Sequence, residues 1–102
     1  MIQEQTFSWI FLAIALATNS KATNFEGIAL VADGINHAVP THKELQLSIS
    51  WLTKKELIMK QGKNYELTIK GKLEYEKASQ NTHILFSIWK NIEINFINYV
   101  DQ

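Results

Sequence analysis

The sequence contains no cysteine, no arginine, a single proline and four scattered glycines. Without cysteine there can be no disulfide, no thiolate catalysis and no cysteine-based zinc site. The absence also fits a reducing compartment, so the cytoplasm is the expected location. Without arginine the commonest specific base contact, a guanidinium paired bidentately with guanine, is unavailable; lysine can still meet a phosphate as a point charge. Gly27, Gly34, Gly62 and Gly71 lie too far apart to form a phosphate-cradling loop. Ser48 and Ser50 point in different directions on one helix, and no base is placed to activate either. No catalytic residue, cofactor or small-molecule substrate is therefore expected. His37 and His42 bracket Pro40, with Asp33 one helical turn earlier. That loose set suits turn and cap residues better than a metal site, and no metal is expected. His83 reads as a solvated residue near the start of the last helix.

What is present is globular. The chain has 102 residues, of which 46% are apolar and 20% charged. That length supports one core, and no repeat or linker divides it, so residues 1–102 are read as a single domain. The formal net charge is zero, but its distribution is uneven. Residues 41–72 carry seven lysines against Glu44, Glu56 and Glu66, a local excess of four positive charges. Both flanks are acidic, which suits an anionic partner on one face.

The N-terminal run "FSWIFLAIALA" ends in small residues, like a leader peptide. The preceding "MIQEQT", however, has no basic residue and carries Glu4. The run is also too short to cross a bilayer. A buried helix from about Phe7 to Thr18 is expected, with a turn after it at Asn19, Ser20 and Asn24. A second helix should span Phe25 to Asn36, with Phe25, Ile28, Ala29, Ala32 and Ile35 at helical spacing. Val39-Pro40 forces extended backbone. Thr41 and Glu44 then form a capping box that opens a third helix. Its inner face is Leu45, Ser48, Ile49 and Leu52. The outer face carries His42, Lys43, Gln46, Leu47, Ser50 and Lys54.

After Leu57 the periodicity changes from helical to alternating. "LIMKQGKNYELTI" predicts two short strands around a turn at Gln61 to Asn64, with Tyr65, Leu67 and Ile69 alternating against polar neighbours. Leu47 and Trp51 of the third helix are expected to pack under this hairpin. Thr68 can open a short helix to about Ser79. A last, long helix is expected from Thr82 to Val100. In it Leu85, Trp89, Ile92, Phe96 and Tyr99 have a coiled-coil-like 4-3-4-3 spacing, and Ile84, Ile88, Ile94, Ile97 and Val100 widen the apolar surface.

The capped "PTHKELQLSISWL", the "KKELI" that leads out of it and "GKNYELTIKG" together resemble the winged helix-turn-helix domains of bacterial and archaeal transcription regulators. In that family a capped recognition helix leads to a Gly-Leu-Ile phrase, a hairpin wing and a closing Tyr-x-Leu-Thr-x-x-Gly. Leu57-Ile58, Tyr65, Leu67, Thr68 and Gly71 stand at those positions, and Glu56 replaces the family's usual glycine. The resemblance covers roughly residues 25–75. It implies a mainly α (α+β) fold with a two-stranded wing and a long C-terminal helix. It also implies double-stranded DNA as partner and a role in transcription. The base-facing residues would be Thr41, His42, Lys43, Gln46 and Ser50, with Lys54, Lys60 and Lys63 on phosphates. A homodimer is expected through the terminal helices, residues 1–20 and 80–102, with Phe7, Phe11, Leu85, Trp89, Ile92, Phe96 and Tyr99 at the interface. The other reading is a winged-helix protein–protein interaction module that does not bind DNA.

Overall fold

A computed structural model describes residues 2–18 and 21–100, with only the backbone of Val100. Asn19 and Ser20, expected in the first turn, lie outside the described residues. The protein is mainly helical, with one small antiparallel sheet. Its elements are α1 (Gln3–Ala17), α2 (Phe25–Asn36), α3 (His42–Lys54), β1 (Ile58–Gln61), β2 (Asn64–Leu67), α4 (Ile69–Ser79) and α5 (Leu85–Val100). None of the described helices is long and apolar enough to cross a membrane.

Helix α1 is the axis of the fold. Every residue from Phe7 to Ala15 is buried, because α2, α3 and α5 pack around it and β2 and α4 touch it as well. Each large apolar side chain enclosed this way contributes about 1.5–3 kcal/mol. The helix starts four residues before the apolar run suggested. Its first turn is polar and held locally: the Ile2 N–H donates to Gln5 Oε1 at 3.2 Å, and Glu4 sits at the positive end of the helix dipole. Buried polar groups on α1 are satisfied. The Trp9 indole donates to the Ala32 carbonyl at 2.9 Å, and the Ser8 hydroxyl donates to the Glu4 carbonyl at 2.7 Å.

Local signals set the next elements. The Asn24 side chain accepts the Gly27 N–H at 2.9 Å and starts α2. At its other end His37 takes a left-handed φ of 54° and returns its N–H to the Asp33 carbonyl at 2.7 Å. Thr41 and Glu44 cap α3 reciprocally, at 3.0 and 2.8 Å. Leu45, Ser48, Ile49 and Leu52 are buried beneath it. Glu56, standing where glycine would be free to adopt it, itself takes the left-handed conformation at φ 62°. The Leu57 N–H then reaches the Leu52 carbonyl and the Glu56 N–H the Thr53 carbonyl, closing a Schellman turn.

The hairpin pairs Ile58 with Leu67 and Gln61 with Asn64, leaving Gly62 at φ 64° as the first of two turn residues. Ile58, Tyr65 and Leu67 face the core. The expected alternation stops there: Ile69 is 79% exposed, because Thr68 accepts the Gly71 N–H and turns the chain into α4. Gly71 lies against the Leu57 carbonyl so closely that a methyl group would collide with it. The hairpin also has a third strand of one residue. Thr23 exchanges both backbone hydrogen bonds with Tyr65, at 3.0 and 2.7 Å. Helix α5 begins three residues after Thr82, whose hydroxyl accepts the Ile84 N–H.

Two expectations about packing are corrected. Trp51 does not lie under the hairpin: it stacks on Phe7 at 4.8 Å and meets Phe96 and Tyr99 on α5. Leu47 stays half exposed beside Phe7 and Lys43. The seam expected to join two copies is largely spent inside one. Phe7, Phe11, Ile92 and Phe96 are buried by the chain itself, Phe11 edge-on to Phe96 at 5.2 Å. Trp89 and Tyr99 are partly covered, and Leu85 alone of the set is exposed. The terminal helices are this apolar because they cover each other.

Candidate nucleic-acid interface

The outward side of α3 is a continuous polar strip. His42, Lys43, Gln46, Ser50 and Lys54 are all exposed, as helical spacing against the buried Leu45–Leu52 face requires. Thr41 stands at the same end, but its hydroxyl is engaged by the Glu44 N–H. The capping box therefore fixes the backbone at the end where His42 and Lys43 project.

The hairpin lies beside that end. Phe25, the first residue of α2, has its ring edge-on to His42 at 6.1 Å and stacks on Tyr65 at 5.6 Å. Lys60 in turn lies 6.0 Å over the Tyr65 ring. A hollow of about 290 Å³ opens between Asn24, Phe25, Glu26, Lys60, Lys63 and Tyr65. His42, Lys60 and Lys63 are thus brought onto one side through a short aromatic bridge. Glu26 places one negative charge in the same hollow.

The basic third of the sequence is not one basic face. Lys70 donates to the Lys55 carbonyl at 3.1 Å and lies over the Tyr99 ring, toward the end of α5. Lys72 borders a hollow with Ala15, Thr18 and Tyr75, at the end of α1. The cations left on the outer strip and the hairpin are Lys43, Lys54, Lys60 and Lys63. Periodicity alone could not separate these two groups, because α4 turns away from the hairpin at Thr68.

Phe25 is not expected on this surface from the sequence, and Leu47 is expected on the outer face but covered by the hairpin. Phe25 reads in sequence as part of a core stripe, yet it joins α2, α3 and the hairpin at their common edge. Leu47, 50% exposed, places an apolar side chain amid the polar strip. Its position opposite the Leu45–Leu52 face was legible, but its lack of cover was not. The chain matches no protein-family model, no curated protein and no solved structure.

Proposed function

We propose that the chain is a winged helix-turn-helix domain that binds double-stranded DNA in the cytoplasm and acts in transcription regulation. The observation that carries this reading is the juxtaposition of the exposed α3 strip with the lysine-bearing hairpin. The order α2, turn, α3, hairpin supports it, as does the Thr23 bridge that ties the hairpin to the start of α2. In this reading α3 enters the major groove and β1–β2 is the wing. Gln46 is the side chain on the strip able to pair bidentately with adenine. Lys54, Lys60 and Lys63 meet phosphates and set affinity and register without reading sequence.

The test is DNA binding measured as a function of salt. Replacing Lys60 and Lys63 together with alanine should weaken binding to every duplex and reduce the salt slope by about one unit per lost phosphate contact. Gln46→Ala should relax preference at one base pair, by roughly 1–3 kcal/mol. A second reading, a winged-helix protein–protein interaction module, is favoured by one observation: the exposed Leu47 in the middle of the strip. It prevails if no duplex is bound even at low salt.

A further inference from the structure

Helix α5 has two apolar sides, and the core uses one. Ile88, Ile92 and Phe96 face α1, while Phe86 and Ile97 on the opposite side are 60% and 48% exposed. Phe86, Lys90, Glu93 and Ile97 are spaced 4-3-4, so they form one stripe along the helix. Among the described residues neither Lys90 nor Glu93 has a hydrogen-bond or ion-pair partner. Phe86 is held in place by stacking on Trp89 at 6.0 Å. Beside it a hollow of about 430 Å³ opens between Gln5 and the helix.

The stripe is complementary to its own reverse. Turned end for end about a point between Asn91 and Ile92, Phe86 falls opposite Ile97 and Lys90 opposite Glu93, then the same two pairs again. We infer that α5 pairs antiparallel with α5 of a second copy of this chain, through two Phe86–Ile97 contacts and two Lys90–Glu93 ion pairs. A two-fold axis requires such isologous matching, and the unspent charges supply it. The apolar ends anchor the contact and the charges fix its direction, since a parallel pairing would set lysine against lysine. The surface is distinct from α3, whose Trp51 meets α5 on the far side at Phe96 and Tyr99. The pairing therefore does not rest on the DNA reading and leaves the α3 strip open.

Sedimentation equilibrium tests it. The wild-type protein should sediment at twice its 11.7 kDa. Phe86→Ser should sediment as a monomer with an unchanged circular dichroism spectrum. Lys90→Glu and Glu93→Lys should each weaken self-association on the order of a hundredfold, because each sets like charges against one another twice. An equimolar mixture of those two variants should associate again, since both ion pairs reform between unlike chains. A wild-type monomer at every concentration overturns the proposal. So does a dimer that Lys90→Glu leaves intact, or a mixture that fails to recover.

Discussion

Helices α1 and α5 are similarly rich in large apolar residues, and the fold treats them differently. Helix α1 is enclosed on every side from Phe7 to Ala15, whereas α5 buries Ile88, Ile92 and Phe96 and leaves Phe86, Ile94 and Ile97 in solvent. The difference comes from neighbours. Three helices surround α1, while α5 lies at the margin with α1 on one flank, α4 on another and Trp51 of α3 against Phe96 and Tyr99. Composition therefore says how much surface wants cover, and position decides how much receives it.

Substitutions along α5 should expose that division most strongly. Ile92→Asp buries an unpaired charge against α1, at a cost comparable to the whole stability of a small domain, so the variant should show no cooperative thermal transition. Ile94→Asp, two residues on and half exposed, should change unfolding free energy by no more than about 0.5 kcal/mol. Equal effects would mean that α5 is enclosed on both sides within one chain.

The two indoles sharpen the comparison at a smaller scale. Trp9 is fully buried on α1 and donates to the Ala32 carbonyl, while Trp89 on α5 is half covered and donates to the Gln5 carbonyl and the Ser8 hydroxyl at 3.0 Å. Trp9→Phe removes the indole's hydrogen bond to the Ala32 carbonyl, which keeps its helical partner, and leaves a void in the core; it should cost about 2–3 kcal/mol in chemical denaturation. Trp89→Phe should cost about 1 kcal/mol, since Gln5 is only partly buried and the Ser8 hydroxyl keeps its own bond to the Glu4 carbonyl.

The smallest effect concerns pH. Burial, then the hydrogen bond to Glu74 at 2.9 Å and the charge of that carboxylate, push the Tyr99 hydroxyl up to about 12 from its usual 10.0. The folded state thus favours the neutral phenol. Its contribution is complete below about pH 10 and is lost as pH rises through about 12. Tyr99→Phe should flatten the fall in stability between those values, and an unchanged profile would remove Tyr99 as its source.

The elements that were legible in sequence are those whose signal is local. Asn24 and Asn36 bound α2, the Thr41–Glu44 pair caps α3, and Gly62 places the turn, each within a few residues. The outer strip of α3 came from the same periodicity. What escaped was set by distant neighbours. The 4-3-4-3 seam on α5 identified an apolar face correctly, but spacing cannot say whether α1 of the same chain or another copy covers it. The Trp51 stack on Phe7 and the Thr23–Tyr65 bridge join segments far apart in sequence, and nothing in either segment announces the other. Glu56 in the left-handed region is a third kind of miss, a conformation its residue type disfavours and the Schellman hydrogen bonds enforce.

The Trp89 indole reaches back 84 residues to the Gln5 carbonyl. In a ribosome adding about 5–20 residues per second, α1 emerges roughly 4–17 seconds before the helix that roofs it. Throughout that interval the most apolar segment of the protein has α2 and α3 for shelter and no lid. The nascent chain should therefore be bound by a chaperone at Phe7 to Ala15 until α5 clears the exit tunnel, and release should coincide with that moment.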